Sequence, residues 1–230
     1  MGVKLFLIRH GQTELNLEGR YQGGMDTELT SVGIRQAKLA KKYLSMVIFS
    51  SIYSSPLKRA LDTASIIADN GSPKVTVRDN LKEIDFGKWE GLKFNEINRK
   101  YRKEYQDWLN DPFNRPPTGG ESFKSLTKRV TKEIDKIVSE NDDGGNVAIV
   151  THGGVIVSLL VYWLRIPCSR WRSIIQRQGA INIVVIDKNF PYISQINYTG
   201  HLKPIYDDSE DKVIEIYSKL GNKKNNLSYK

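Results

Sequence analysis

Two short apolar runs, Val3–Ile8 and Val147–Val150, have the composition of strands that are buried on both faces of a parallel sheet. The second run extends into Thr151, and each run leads directly into a His-Gly pair. A strand without a polar face needs a covering layer on both sides. The two runs therefore predict the interior of an α/β sheet.

Elsewhere the apolar residues recur every three or four positions, which predicts helices. The first helix opens with Thr30 as its N-cap, and the second begins after Ser54-Ser55 with Pro56 in its first turn. Further helices are predicted over Lys124–Ser139 and Val155–Trp163. Strands that alternate with helices predict a mainly parallel central sheet with helices on both faces.

Residues 90–121 differ from this alternation. A charged helical piece over Phe94–Leu109 precedes a stretch rich in Asn, Pro and Gly, so we expect a small helical insertion within a single domain of residues 1–212. A lid over the substrate and a plain surface excursion fit this stretch about equally well. Nearby aromatic residues fit either an apolar leaving-group pocket or ordinary core: Phe86, Trp89, Phe94, Trp108 and Phe113.

The composition is that of an ordinary globular protein, with 39% hydrophobic and 27% charged residues in 230. No apolar run is long enough to cross a bilayer, and the short apolar start is interpreted as a strand because Arg9-His10-Gly11 follows it. We therefore expect a cytoplasmic protein with no membrane partner. The single cysteine, Cys168, excludes an intrachain disulfide and has no metal or redox spacing.

The net charge of +9 raises the possibility of nucleic-acid binding. Residues 213–230 form a basic tail, and its last fifteen residues contain four lysines and no acid. An exposed basic tail is more often a solvated, disordered end than a binding arm. We expect no nucleic-acid partner, and the sequence leaves a homodimer open.

Two of the three histidines in the chain follow predicted strands. In an open parallel sheet, ligands bind outside the carboxyl ends of the strands, so His10 and His152 are expected to face one crevice. Arg9 precedes His10 and adds a guanidinium there. A single histidine at a strand end is more often structural, but two of three in this position indicate a site.

This group suits phosphoryl transfer, because the moving group needs an in-line nucleophile and fixed positive donors. Neutral His10 is the candidate nucleophile, and Arg9 and Arg59 are candidates to hold the phosphoryl oxygens. Arg59 would lie in the first turn of a helix, where free N–H groups also favour an anion. Alone, Arg59 would be interpreted as part of a surface salt bridge.

A leaving alkoxide must be protonated, which requires a carboxylic acid within reach. Glu83 is the best candidate, in a segment over Leu81–Gly91 whose alternating apolar residues predict a strand that enters a glycine-marked turn. Asp85 and Glu90 are the alternatives, although each is more typical of a turn or capping group.

The chain resembles the histidine phosphatase superfamily, which includes the cofactor-dependent phosphoglycerate mutases. The motifs occur in family order over roughly the first two-thirds of the chain. They are Arg9–Asn16, Leu29-Thr30 with Gly33 and Gln36-Ala37, Ser54–Ala60 with Thr63-Ala64, Leu81–Gly91, Gly120–Ser122 and Val150–Gly154. Residues Asn197–Leu202 also look like the closing strand of that family.

The resemblance implies a three-layer α/β/α sandwich and a phosphohistidine at His10. It implies no metal and no organic cofactor. Glu83 falls where the family keeps its proton donor, and Gln22 falls where a loop residue contacts the phosphate or the substrate. The remaining phosphate pocket would consist of Arg9, Asn16, Arg59, His152 and Gly153.

The segment around Glu83 distinguishes two branches of that family. Mutases typically place Arg and a hydroxyl-bearing aromatic residue after the acid, whereas Ile84, Asp85 and Phe86 follow Glu83. The pattern resembles broad-specificity phosphatases and α-ribazole phosphate phosphatases, and the intervening segment is short for a mutase. We therefore predict a metal-independent phosphatase whose partner is a small phosphorylated metabolite.

Two alternatives remain open besides nucleic-acid binding. A phosphoglycerate mutase with an altered pocket would return the phosphoryl group to a sugar acid and would need a bisphosphate primer. A catalytically silent phosphate-binding relative would keep the fold but lose a catalytic group. The presence of His10, Arg9, Arg59, Glu83 and His152 argues against the silent relative.

Overall fold

A six-stranded mixed sheet forms the centre of the computed structural model, which describes residues 2–68 and 73–205. The predicted domain end at residue 212 and the basic tail from residue 213 lie outside these ranges. In chain order the strands are β1 Val3–Arg9, β2 Phe49–Ser54, β3 Val75–Val77, β4 Gly145–Thr151, β5 Ile181–Asp187 and β6 Phe190–Tyr198.

The strand order is β3-β2-β4-β1-β5-β6. The four strands from β3 to β1 are mutually parallel, whereas β5 is antiparallel to both of its neighbours. The prediction of a mainly parallel sheet is confirmed. Strands β1 and β4 are adjacent and in register, from Val3 opposite Gly145 to Arg9 opposite Thr151.

Helices cover both faces of the sheet, so the predicted three-layer sandwich is confirmed. They are α1 Glu14–Leu17, α2 Ser31–Leu44, α3 Lys58–Ala68, α4 Phe94–Lys100, α5 Arg102–Asn110, α6 Phe123–Ser139 and α7 Gly153–Trp163. Successive side chains of β1 point to opposite faces. Leu5 and Leu7 pack in the cluster that contains α6 and α7, whereas Phe6 and Ile8 pack in the cluster that contains α2 and α3.

The helical insertion lies beside the site, as predicted, but it contains two helices instead of one. Tyr101 separates α4 from α5 with a non-helical backbone (φ −131°, ψ 40°). The break lets both helices bury apolar side chains in one cluster, with Ile97 from α4 and Tyr105 and Trp108 from α5 packed around Trp89.

Two predicted boundaries are wrong. Helix α3 begins at Lys58, because the Ser55 hydroxyl accepts from the Leu57 N–H and holds Pro56 in a turn before the helix. The closing strand is β6 Phe190–Tyr198, and a 3-10 turn over Gly200–Leu202 follows it.

The strand predicted over Leu81–Gly91 is wrong as a whole. That segment is irregular, with 3-10 turns at Asp79–Leu81 and Gly87–Trp89. The hydrogen bonds of Asp85 are not those of a strand. Its carboxylate accepts from the nearby Gly87 N–H, and its backbone carbonyl accepts from the Glu121 N–H instead of from a neighbouring strand.

Candidate active site

The ends of β1 and β4 bring His10 and His152 together. Because the two strands are parallel and in register to Arg9 and Thr151, the next residue of each strand emerges at the same edge of the sheet. The imidazole centroids of His10 and His152 lie 5.1 Å apart with an interplanar angle of 60°. Both side chains are buried.

The tautomer of His10 is fixed by the backbone. Its Nδ1 lies 2.7 Å from the Gly11 carbonyl oxygen, which can only accept, so Nδ1 carries the proton. The lone pair is therefore on Nε2, where the Arg59 Nε–H donates at 3.3 Å. Burial, and then the charges of Arg59 and Arg9, lower the pKa of His10 well below its usual 6.5. The ring is a neutral base with its lone pair directed at a guanidinium.

His152 is held by a side chain instead of by the backbone. Its Nε2 lies 2.7 Å from the hydroxyl oxygen of Ser55, which already accepts from the Leu57 N–H. The Ser55 hydroxyl can donate to Nε2, an arrangement in which the neutral ring carries its proton on Nδ1. This Nδ1 is buried, and none of the described residues accepts its hydrogen bond. Burial is the largest cause that lowers the pKa of His152 well below 6.5.

Arg59, near the start of α3, is a fully buried cation. Its Nη1 and Nη2 donate to the carbonyls of Met25 and Gly23 at 2.6 and 2.8 Å, so it also organises the loop that carries Gln22. Burial lowers its pKa to about 10, which still leaves it charged at neutral pH. The expected contribution of free N–H groups at this helix end is only partly present, because the Asp26 carboxylate accepts from the Lys58 N–H.

Arg9 is held from the side of the sheet that carries β5. Its Nη1 donates to the Gln176 carbonyl. The Gln176 side chain exchanges two hydrogen bonds, of 3.0 and 2.9 Å, with the buried amide of Asn182 on β5. A side chain at Gly153 would crowd the guanidinium, since a Cβ there would lie 3.2 Å from the Arg9 Cζ.

Glu83 reaches the same edge of the sheet from its irregular segment. One carboxylate oxygen accepts from the Ile84 N–H at 2.9 Å, and the other accepts at 3.1 Å from the N–H of Gly154, in the first turn of α7. A Cβ on Gly154 would lie 2.4 Å from the Glu83 Oε1, so glycine is needed for this approach.

Arg129 on α6 clamps the backbone around Glu83. Its guanidinium donates to the carbonyls of Asn80, Lys82 and Glu83 at 2.8, 2.8 and 3.0 Å. The same group donates to both carboxylate oxygens of Glu121, each at 2.8 Å. Arg129 therefore fixes an irregular segment that has no neighbouring strand to hold it.

Asn16 and Gln22 line the same cavity. The Asn16 Oδ1 accepts from the Thr13 N–H, and the Gln22 Oε1 accepts from the Thr27 hydroxyl. Because each carbonyl oxygen is engaged, the NH₂ of each amide is the group that remains to donate to an anion.

These side chains line a cavity of about 280 Å³. Seven of the eight predicted site residues line it. The eighth, His152, does not line it, but its ring packs against that of His10. Other lining residues were not predicted from the sequence: Gly19, Arg20, Tyr21, Gly23, Leu109, Gly154, Val157, Trp171, Arg172, Gln176 and Gln178. Most of them lie in loops without periodicity, although Gly154 follows a motif glycine and Tyr21 precedes Gln22.

The alternative acids and aromatic residues take different positions. Asp85 forms a turn with Gly87, and the Glu90 carboxylate accepts from the N–H groups of Gly24 and Phe86. Phe86, Phe94 and Trp108 line the cavity, whereas Trp89 is core and Phe113 lies elsewhere.

Metal-binding and membrane-spanning features can be checked only within residues 2–68 and 73–205. No group of three or more His, Cys, Asp or Glu side chains there is arranged to hold a metal ion. None of the helices in those ranges has the length and apolar character needed to cross a bilayer.

Comparison with known proteins gives consistent matches. Residues 5–199 match the model of the histidine phosphatase superfamily (branch 1). Phosphoserine phosphatase 1 of Hydrogenobacter thermophilus is 33% identical over 89% of the chain and 96% of that protein. Adenosylcobalamin/alpha-ribazole phosphatase of Salmonella typhimurium is 32% identical over 88% of the chain and 100% of that protein. The structure of Bacillus stearothermophilus YhfR superposes with a TM-score of 0.82 at 29% identity, covering 87% and 99% of the two chains.

The buried histidines predict a stability that falls on acidification. The pKa values of His10 and His152 are lowered well below 6.5, and burial lowers that of His201 to about 4. An unfolded histidine titrates near 6.5. Below this pH the unfolded chain binds more protons, so the free energy of unfolding should decrease from about pH 6.5 towards pH 5. Each fully titrating group contributes about 1.4 kcal/mol per pH unit.

Urea unfolding at several pH values measures this slope. His201→Asn should remove about a third of it, because one of three titrating groups is gone and that residue lies outside the cavity. A free energy of unfolding that is constant from pH 5 to 6.5 would contradict the neutral, buried state of these rings.

Proposed function

Because the chain belongs to branch 1 of the histidine phosphatase superfamily and is a phosphatase, we propose that its phosphohistidine forms at Nε2 of His10. The observation that carries this assignment is the 2.7 Å hydrogen bond from His10 Nδ1–H to the Gly11 carbonyl, which leaves the Nε2 lone pair to attack. The substrate is a small phosphate monoester. The relatives are phosphatases, so the mutase alternative is not favoured.

Phosphoryl transfer to His10 is the first step. The Nε2 lone pair attacks phosphorus, and the bond between phosphorus and the ester oxygen breaks. The carboxylic acid form of Glu83 gives its proton to the departing oxygen, so the alcohol leaves neutral. Glu83 is held in position for this role, because two backbone N–H groups fix its oxygens in the cavity that His10 also lines.

Hydrolysis of the phosphohistidine is the second step. The Glu83 carboxylate takes a proton from water as the water oxygen attacks phosphorus. The bond from phosphorus to Nε2 then breaks, which restores neutral His10, the acid form of Glu83 and free phosphate. No group other than water enters the cycle, so we expect no requirement for a metal ion or an organic cofactor.

Charge stabilisation is assigned to the donors around His10. Arg9 and Arg59 would hold the phosphoryl oxygens, and His152 would donate from the Nδ1–H that none of the described residues accepts. The amide NH₂ groups of Asn16 and Gln22 and the backbone at Gly153 would complete the pocket. The Ser55 hydroxyl keeps His152 in the tautomer that donates.

The first experiment measures phosphate release from a panel of monoesters in EDTA. The panel includes 3-phosphoglycerate with and without its bisphosphate primer. Release that survives EDTA is expected. Conversion of 3- to 2-phosphoglycerate without release would instead identify a mutase, and neither activity would favour a silent binding protein. A cytoplasmic location and a homodimer remain further proposals.

Replacing His10 by Ala should lower kcat by at least about 10⁴-fold, because the proposed nucleophile is lost and the neighbouring imidazole of His152 does not line the cavity. Trapping with a ³²P-labelled substrate should show an acid-labile, base-stable phosphoenzyme in the parent protein and none in the variant. Substantial residual turnover, or labelling of the variant, would place the nucleophile elsewhere.

Glu83→Gln should lower kcat/KM for alkyl phosphates by about 10²–10⁴-fold, but far less for p-nitrophenyl phosphate, whose leaving group needs little protonation. Glu90→Gln is the matched control, because Glu90 was the alternative acid and does not line the cavity. Equal losses on both kinds of substrate in Glu83→Gln would argue against its role as the acid. A selective alkyl loss in Glu90→Gln would reassign that role.

Arg129→Gln should also lower kcat/KM more for alkyl phosphates than for p-nitrophenyl phosphate, but by less than Glu83→Gln. The reason is that the segment that carries Glu83 loses the hydrogen bonds that hold its backbone. We expect about a tenfold larger loss with alkyl than with p-nitrophenyl phosphate. Lys128→Gln, an exposed neighbour on α6, is the control. A proportional loss on both substrates would mean that Arg129 supports only the fold.

A further inference from the structure

Aromatic rings form part of the wall of the same cavity that His10 lines. They come from four separate stretches: the loop after α1, the segment of Glu83, the helical insertion, and the 3-10 turn over Cys168–Ser173. The rings belong to Tyr21, Phe86, Phe94, Trp108 and Trp171, and Leu109 and Val157 add aliphatic surface. A leaving alcohol bound in this cavity would therefore have aromatic surface available to it.

The rings are fixed by contacts with one another. Tyr21 meets Phe86 edge-on at 4.8 Å, and Trp108 meets Trp171 in the same way at 5.3 Å. The Tyr21 hydroxyl also bonds to that of Tyr105 at 2.8 Å, and the Tyr105 ring stacks on Trp108. Such a wall is preorganised, so a ligand that packs on it loses little free energy to side-chain ordering.

The charges of the cavity argue against a cationic leaving group. Among the described residues that line it, Glu83 is the one carboxylate, whereas Arg9, Arg20, Arg59 and Arg172 are cations. Both oxygens of Glu83 already accept from backbone N–H groups. A substrate ammonium would lack a carboxylate partner, and an unpaired cation is costly to bury. The guanidinium groups would also oppose a cation–π contact with the rings.

We infer that the preferred substrates are phosphate monoesters whose leaving group carries a planar aromatic moiety and no cationic group, and that ammonium-bearing esters such as phosphoserine are poor substrates. The inference rests on the proposed function, because it assumes that the phosphate binds at His10. It concerns only the group attached to the ester oxygen.

The test compares kcat/KM for primary alkyl phosphates, which share one kind of leaving oxygen and so need the same protonation. The series is ethyl, 2-phenylethyl and 2-cyclohexylethyl phosphate, O-phosphoethanolamine and O-phosphoserine. We expect 2-phenylethyl phosphate to exceed ethyl phosphate by about tenfold or more and to exceed the cyclohexyl ester. Both ammonium esters should be no better than ethyl phosphate.

Substitutions in the wall test whether its rings cause the preference for 2-phenylethyl phosphate. Phe94→Leu and Trp171→Leu should each reduce the ratio of kcat/KM for 2-phenylethyl over ethyl phosphate by severalfold. Phe113→Leu is the matched control, because Phe113 is an aromatic residue of the same insertion that does not line the cavity, and its ratio should equal that of the parent. The ratio is independent of the fraction of active protein, so partial unfolding of a variant does not affect it.

The outcomes separate the two proposals. A phenylethyl-to-ethyl ratio near one, or a preference for either ammonium ester, would overturn the substrate class while His10-dependent hydrolysis stands. Equal rates with the phenyl and cyclohexyl esters would overturn its aromatic part. No release that depends on His10, from these esters or from p-nitrophenyl phosphate, would overturn the proposed function and the inference with it.

Discussion

The in-register parallel pairing of β1 with β4 is the constraint on which the site depends. It places Arg9 opposite Thr151, so His10 and His152 follow at one edge with their rings 5.1 Å apart. A slip of one residue would separate them by a further 3.3 Å or so and would exchange the two faces of β1. Leu5 and Leu7 would then leave their core cluster. The hydrophobic pattern that stabilises the sheet therefore also sets the geometry of the two imidazoles.

Burial gives this geometry its chemical character. Desolvation lowers the pKa of both imidazoles, so they are neutral. The Gly11 carbonyl fixes the proton of His10 on Nδ1, and a hydrogen bond donated by the Ser55 hydroxyl to Nε2 places the proton of His152 on Nδ1 as well. One ring can attack and the other can donate. Arg59 contacts carbonyls instead of a carboxylate, so its charge remains available to an anion. Burying that cation costs free energy, and the proposed binding of a phosphate dianion would recover part of it.

Periodicity predicted those parts of the fold that periodic packing determines. Local signals marked the runs that form β1 and β4, the capping residue Thr30 and the apolar stripe of α6. The two strands in turn indicated His10 and His152, which follow them. The segment of Glu83 was mistaken for a strand because its apolar residues alternate, although no neighbouring strand pairs with it. Its position depends on Arg129, a contact over 46 residues that leaves no local trace. Trp171 and Gln176 were missed for the same reason, since they lie in turns whose placement is decided by tertiary contacts.

The site divides into a part that the sheet determines and a part that loops determine. His10, His152 and Arg9 are attached to strand ends, whereas the aromatic wall is assembled from a loop, the helical insertion and a 3-10 turn. Insertions and loops tolerate change without disturbing strand pairing. The aromatic wall can therefore vary while the groups at the strand ends are kept. Arg129 couples the segment of Glu83 to the insertion, because one guanidinium binds both the backbone of Glu83 and the carboxylate of Glu121 at the end of the insertion. Changes in the insertion that move Glu121 would consequently also move Glu83, which limits how far the sequence of this insertion can vary.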